Sequence, residues 1–342
     1  MEFGVGLLGD LSTARIVDLS QRIEGYGLDQ IWVADERFYR DVFVNMTLAA
    51  CHTRRVKIGA LVTDPYIRHP AVTAAAAASI DEVSRGRVVL GLGAGLSGFK
   101  QLGIERIRPA RAIREAIQLM NRLTSGDRDV TFSGELVRFH AGHLNFTPAR
   151  RVPIVVAARG PRVLEVAGEL ADGVVIGSFA SDRGISRGLE HARRGARRAG
   201  RSLADFATVS WLYTAIGSDH DRVRAAVRKG VAVAMWGSRE ILPELGVTLP
   251  EEITRFMTEH AYSAADEVIS EVGRRIPDRL LDEFSVTGTA EEVASQLVRI
   301  GRLGIGQAAL WLFPPRGDDL DGQLRLLAEE VVPRVRAALA DR

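Results

Sequence analysis

The sequence predicts an α/β fold, a (β/α)8 TIM barrel with insertions, and three observations predict it. Apolar, β-branched strand candidates and helical patterns alternate along the chain, and eight strand candidates can be counted. The segment 56–95, VKIGALVTDPYIRHPAVTAAAAASIDEVSRGRVVLGLGAG, is a strand–helix–strand unit that implies parallel strands. Both of its strands run into loops at one sheet edge, where glycines let backbone come close to a ligand. A doubly wound open sheet is the competitor. It is weakened because Gly91-x-Gly93-x-Gly95 lacks the continuation of a dinucleotide fingerprint and falls at the fourth strand.

In order, strands are expected at 3–8, 30–34, 56–62, 87–92, 153–158, 173–177, 207–216 and 307–313. Helices are expected near 12–26, 41–53, 70–84, 109–124, 161–170, 184–199, 219–234 and 289–303. Two stretches break the rhythm. Residues 125–150 read as a hairpin or loop, and 235–285 as a helical insertion opened by Pro250-Glu-Glu252. Neither a linker nor a repeat divides the chain, so a single domain over 1–342 is expected. The insertions are expected to shape a substrate pocket.

Composition narrows the classes. With 342 residues, 46% hydrophobic and 26% charged, the chain can bury a large core. A net charge of +2 gives no reason to expect nucleic acid or membrane as a partner. The one cysteine, Cys51, excludes an internal disulfide, and its place in an apolar helical pattern predicts a buried thiol. The sequence starts on a strand instead of a basic-then-apolar signal, and a cytoplasmic protein is expected.

Several residues invite chemistry. Asp35 and Glu36 follow the second strand and face the mouth of a barrel; the bland alternatives are a pair of solvated loop carboxylates and, for Glu36, pairing with Arg37 or Arg40 at the rim. Ala60, Leu61, Val62 and Thr63 close the third strand, where barrel core is the simple reading. His69-Pro70 suits a helix start better than a catalytic histidine. Asp81, Glu82, Arg85 and Arg87 suit helix-end pairing. Ala157-Ala158-Arg159-Gly160-Pro161 leads from the fifth strand into a helix, and amides at a helix N-terminus beside a glycine form a natural phosphate site. Gly177 and Ser178, after the sixth strand, are candidates to complete it. The Arg193–Arg201 basic face reads as a solvated helix surface. His140 and His143 lack a completing ligand, so no metal site is expected. Met235, Trp236, Phe256, Met257 and Tyr262 suggest an apolar insertion or its own core.

Taken in order, Ile31-Trp-Val-Ala-Asp35, Val62-Thr-Asp-Pro-Tyr-Ile-Arg-His-Pro70, Asp81-Glu-Val-Ser-Arg-Gly-Arg87, Leu90-Gly-Leu-Gly-Ala-Gly95 and Ala157-Ala-Arg-Gly-Pro161 carry a likeness. The chain resembles the luciferase-like flavin and deazaflavin oxidoreductase superfamily. It is most similar to the branch of coenzyme F-420-dependent methylenetetrahydromethanopterin reductases. The likeness covers 1 to about 180 and resumes at Val286–Glu292; residues 180–285 show none.

The resemblance implies an F-420-dependent oxidoreductase whose partners are a small-molecule substrate and a second copy in a homodimer. It implies cofactor contacts at Asp35, at Ala60, Leu61, Val62 and Thr63, at Gly93, Ala94 and Gly95, and a phosphate loop at 157–161. It also implies a non-prolyl cis peptide at Ala60–Leu61 or Leu61–Val62. Two departures stand out: Glu36 replaces a common histidine, and Leu96 stands where deazaflavin enzymes often carry an acid. Glu36 is therefore the nearest candidate proton donor, since a partly desolvated carboxyl titrates closer to neutrality. An FMN-dependent monooxygenase and a non-catalytic cofactor-binding homologue are the alternatives.

Overall fold

Eleven strands are present among the described residues: β1 Glu2–Leu7, β2 Gln30–Val33, β3 Lys57–Ala60, β4 Leu90–Leu92, β5 Val130–Ser133, β6 Arg138–Gly142, β7 Ile154–Ala158, β8 Gly173–Ile176, β9 Ala207–Ile216, β10 Ser285–Gly288 and β11 Gln307–Leu312. The computed structural model describes residues 1–95, 97–259 and 266–340. In hydrogen-bonded order the main sheet runs β3-β2-β1-β11-β9-β8-β7-β4, with β10 added beside β9. Parallel bridges Ile58–Val88 and Thr63–Leu92 join β3 to β4, the two ends of that path. An eight-stranded order that returns to its start is the (β/α)8 barrel expected from the sequence. Its strands are the eight anticipated ones.

The chain forms two compact units, residues 6–174 with 191–207, and residues 1–5 with 175–190 and 208–342; the boundaries fall within β1, β8, the helix Asp182–Arg198 and β9. In the first unit β2 pairs β3 from Gln30–Lys57 to Val33–Ala60, and β4 pairs β7 from Leu90–Ile154 to Leu92–Val156. Ile31, Trp32, Ile58, Leu61, Leu90 and Val156 are buried together with the inner faces of the helices. The helix Pro70–Ser84 forms because six of its fifteen residues are alanine, the best helix former. Pro70 opens it and Arg85 closes it in the left-handed region, at φ 58°.

Two carboxylates, the half-buried Glu24 and the buried Glu115, fasten loops in this unit. Glu24 accepts from the amides of Arg54, Arg55 and Val56, and Glu115 accepts from those of Glu135, Leu136 and Val137. The second group holds the hairpin β5–β6, the insertion expected over 125–150. Burial alone would raise the pKa of each, but three amide donors apiece hold both below the ordinary glutamate range.

In the second unit β11 pairs β9 from Gln307–Val209 to Leu312–Thr214. Gln323 closes the end of β9 by bonding both the amide and the carbonyl of Ile216, at 2.8 and 2.7 Å. The described residues of 235–285 are largely helical as expected, with helices at Glu251–Glu259, Asp266–Arg275 and Asp278–Leu281. Met235, Trp236 and Met257 are buried in this unit, which favours the insertion's own core; Tyr262 lies outside the described residues. Thr289 and Glu292 form a capping box that starts the helix Ala290–Arg302.

The structure departs from the sequence reading in four places. Strand 87–92 shrinks to Leu90–Leu92, because the Arg87 side chain bonds the carbonyls of Ala50, Thr53, Val56 and Ser84 and turns the chain before the ladder begins. β10 was not anticipated: its four residues carry one apolar side chain and lie off the barrel path. Neither was the helical C-terminus over Leu320–Ala340. Cys51 is exposed, not buried, because the helix Val42–His52 buries Val42, Asn45, Met46, Ala49 and Ala50, and residue 51 falls off that stripe.

Candidate active site

The loops after β2, β3, β4 and β7 all belong to the first unit, and charge gathers on the first three. Asp35 follows β2 and lies between two arginines, with Arg37 Nη1 at 3.2 Å from one oxygen and Arg68 Nη1 at 3.2 Å from the other. Arg37 also bonds Asp64, which is 1% exposed, and the carbonyl of Asp35. Arg68 also bonds Asp41 and stacks over the Phe43 ring, 5.0 Å from its centroid. Asp64 keeps its second oxygen for the amides of Tyr66 and Ile67, at 2.8 and 3.0 Å. Asp35, Asp41 and Asp64 are thus each neutralised by an arginine.

Glu36 differs from all three. Among the described residues no ion pair joins it, and its carboxylate oxygen Oε2 accepts from Ser97 Oγ, on the loop after β4. More than a third of the residue stays open to solvent. Its pKa is raised above the ordinary glutamate value, chiefly by desolvation of the carboxyl; Ser97 and Arg37 pull it down and Asp35 adds to the rise. The bland alternative, pairing with Arg37 or Arg40, is not what the structure shows. Arg37 is committed to Asp35 and Asp64, and Arg40 bonds the carbonyl of Asp10 at 2.9 Å.

Ala60, Leu61 and Thr63 are buried and Val62 is partly so. The Leu61–Val62 peptide is cis, the second of the two bonds the resemblance offered; Arg37–Phe38 is cis as well. Thr63 donates its amide to Gly91 O at 3.0 Å and accepts from Gly93 N at 2.9 Å, so the 60–63 segment and Gly93 are tied edge to edge. Ala94 and Gly95 follow, and Arg106 bonds the carbonyl of Gly95. Leu96 lies outside the described residues.

β7 ends on Ala157 and Ala158, and Arg159 and Gly160 lead on to the helix Pro161–Leu170; all four residues are half-buried. No side chain caps that helix, so its first-turn amides are left open. Gly160 sits at φ −74° and ψ 144°, and a Cβ built there meets nothing within 4 Å. Gly177 and Ser178 follow β8 in the second unit; both are buried, Ser178 at φ 59°.

His69 is a helix cap. Its Nδ1 accepts from the amide of Ala71 at 3.2 Å, and its Nε2 lies 2.9 Å from Arg138 O on the hairpin, which fixes the tautomer with the proton on Nε2. Asp81 pairs with Arg150 at 2.8 Å and accepts from the amide of Val88. The basic face around Arg194 and Arg198 is exposed and pairs with Glu165 and Glu169. Sequence reasoning missed Arg68, Asp64 and Ser97 as members of this cluster.

A model of the luciferase-like monooxygenase family matches residues 1–307. The chain belongs to that family. This family member is 31% identical to a 5,10-methylenetetrahydromethanopterin reductase of Archaeoglobus fulgidus, over 98% of this chain and 100% of the relative. It is 28% identical to an F420-dependent glucose-6-phosphate dehydrogenase of Nakamurella multipartita, over 95% of this chain and 93% of the relative. Among solved structures, the coenzyme F420-dependent tetrahydromethanopterin reductase of Methanopyrus kandleri superposes with a TM-score of 0.84 at 26% identity, covering 98% of this chain and 99% of the other. The match therefore spans residues 180–285 as well, where the sequence alone gave no likeness.

Proposed function

We propose that this family member is a coenzyme F-420-dependent oxidoreductase acting on a small organic substrate, with Glu36 handling the proton. The observation that carries the reading is end-to-end similarity to reductases and dehydrogenases whose names specify that cofactor or its pterin substrate. The residues of this chain fit such a group. An uncapped helix N-terminus beside Gly160, with Arg159 and Arg162 adjoining, suits a phosphate. Asp35, the Ala60–Thr63 segment and Gly93 to Gly95 would line the ring system.

When bound, the deazaflavin supplies two-electron hydride chemistry. The chain supplies position and proton. Arg37 and Arg68 pair with Asp35, Asp41 and Asp64, whereas Glu36 has no ion pair among the described residues and keeps its proton to higher pH than an ordinary glutamate. In the direction of substrate reduction Glu36 gives that proton up; in the direction of oxidation it receives one.

The substrate remains to be found, and methylenetetrahydromethanopterin and glucose 6-phosphate, named by the relatives, are the first two to assay. A single-domain, cytoplasmic homodimer belongs to the same proposal; Val44 and Val72, on the helices Val42–His52 and Pro70–Ser84, leave apolar surface for a second copy. No helix among the described residues is long and apolar enough to cross a membrane. Equilibrium titration with F-420 and with FMN, followed by fluorescence quenching, tests the cofactor. Tighter binding of F-420 is expected, and a clear preference for FMN would overturn the proposal in favour of a monooxygenase. Light scattering that gave a monomer mass at micromolar concentration would remove the dimer.

A further inference from the structure

Two adjoining residues on one loop interlock with two adjoining residues on another. Ser97 bonds Glu36, and Gly98 packs against Arg37. Gly98 has φ +77°, and a Cβ there would run into Cβ and Cγ of Arg37, so only glycine allows this approach. The close approach delivers the Ser97 hydroxyl, 7% exposed, to one oxygen of the Glu36 carboxylate. The contact joins residues 61 apart in the sequence.

We propose that Ser97 is the positioning residue for the proton of Glu36: its hydroxyl occupies Oε2, so that the proton resides on Oε1. The inference rests on Glu36 as proton donor but concerns a different residue and makes separate demands. A hydroxyl can donate one hydrogen bond along its O–H, and here a carboxylate oxygen receives it. That bond fixes the rotation of the carboxyl group and leaves Oε1 as the oxygen to be protonated. The Ser97 hydrogen stays in place throughout. In reduction the proton on Oε1 passes to the substrate, the electron pair of the broken O–H bond remains on Glu36, and water restores the acid afterwards.

The charged groups on the described parts of the loops that meet here are Asp35, Arg37, Arg40 and Asp41 beside Glu36, Asp64 and Arg68 after β3, and Lys100, Glu105, Arg106 and Arg108 after β4. Arg37 and Asp35 are the ones that bear on Glu36, and they act in opposite senses. Among the described residues Ser97 is thus the neutral donor set against desolvation of the carboxyl. Loss of the hydroxyl removes a bond that favours the charged form, so the titration of Glu36 moves upward.

The test compares Ser97→Ala, Ser97→Thr and Glu36→Gln in the full chain. The side-chain carboxyl of Glu36 is followed by carbon NMR across pH in the cofactor-free protein, and turnover across pH is measured with F-420 and substrate. Ser97→Ala is expected to raise the titration midpoint of Glu36 and to move the alkaline fall of the reduction rate the same way. It should also lower plateau turnover at least about tenfold, the lower end of the worth of one hydrogen bond to a charged group. Ser97→Thr, which keeps the hydroxyl, restores both. Should Ser97→Ala fold poorly, Ser97→Cys keeps the size with a weak donor and should reproduce its titration shift. An unchanged Glu36 titration in Ser97→Ala, with Glu36→Gln slow, overturns the role of Ser97 alone. Near-normal turnover in Glu36→Gln overturns the proton donor itself, and this inference with it.

Discussion

Gly160→Val isolates the phosphate loop from the stability of the fold. Gly160 lies at φ −74° and ψ 144°, an extended backbone that valine adopts readily, and a Cβ there meets no protein atom within 4 Å. Replacing glycine by valine at this N-cap costs the protein at most about 1 kcal/mol. The added methyl groups stand instead in front of the open amides of the helix Pro161–Leu170. A hydrogen bond from an amide to a charged oxygen is worth about 1.5–3 kcal/mol, and each 1.4 kcal/mol is a factor of about ten in affinity. Loss of one such bond weakens cofactor binding by roughly 10- to 150-fold, and loss of two by several hundredfold or more.

Arg159→Ala sets the scale from the other side. It removes a charge but leaves the backbone donors, and a partly solvated ion pair contributes about 1 kcal/mol or less, roughly fivefold in the dissociation constant. The ranking is therefore the test: fluorescence titration with F-420 should place Gly160→Val well below Arg159→Ala, with circular dichroism showing both folded. Equal affinities for Gly160→Val and the wild type would refute the phosphate assignment.

Glu36→Gln should leave the F-420 dissociation constant in place while turnover falls by ~10²–10⁴, the usual worth of a general acid. Because the pKa of Glu36 is raised, its acid form survives to higher pH than an ordinary glutamate's, and the reduction rate should decline as pH climbs through that value; in Glu36→Gln this decline should vanish. Glu115→Ala strips the hairpin of a carboxylate that is 3% exposed and accepts three amides, and urea denaturation at pH 7 should show a loss on the order of 3 kcal/mol. The folded pKa of Glu115 lies below its unfolded value, so this stabilisation is full above pH ~4.3 and fades as pH falls through the folded value. The difference between wild type and variant should accordingly shrink at acid pH, and a difference that grew there would contradict the geometry. His69→Ala should cost about 1 kcal/mol of stability as a lost cap yet keep most turnover, whereas near-complete inactivation of a folded variant would restore the catalytic reading of that histidine.

The barrel was legible because its eight strands are short, apolar and regularly followed by amphipathic helices, a pattern local enough to read in windows of ten residues. What escaped was set by distant partners. β10 carries a single apolar residue and is a strand only because β9 offers it an edge, Ser285 lying opposite Tyr213. Strand 87–92 loses its first half because Arg87 reaches four carbonyls that no local pattern announces. Cys51 belongs to a helix apolar enough on every side that the buried stripe could not be chosen from composition.

The candidate site divides in the same way. Asp35, Glu36, the 60–63 segment and the 157–161 loop were found because each directly follows a strand, and in a barrel that position opens on the mouth. Their partners were not. Adjacent in sequence, Glu36 and Arg37 invite each other as an ion pair, and that pairing was the natural bland reading of Glu36. The fold turns Arg37 the other way, to Asp64 across 27 residues, and brings Ser97 to Glu36 across 61. An arginine spent on two aspartates cannot neutralise the glutamate beside it. One ion-pair choice thus leaves three carboxyls paired with arginines while the fourth is held by a neutral hydroxyl, raised in pKa and open to solvent. The chemical distinction among four acids rests on where two arginines point, and only the folded loops determine that.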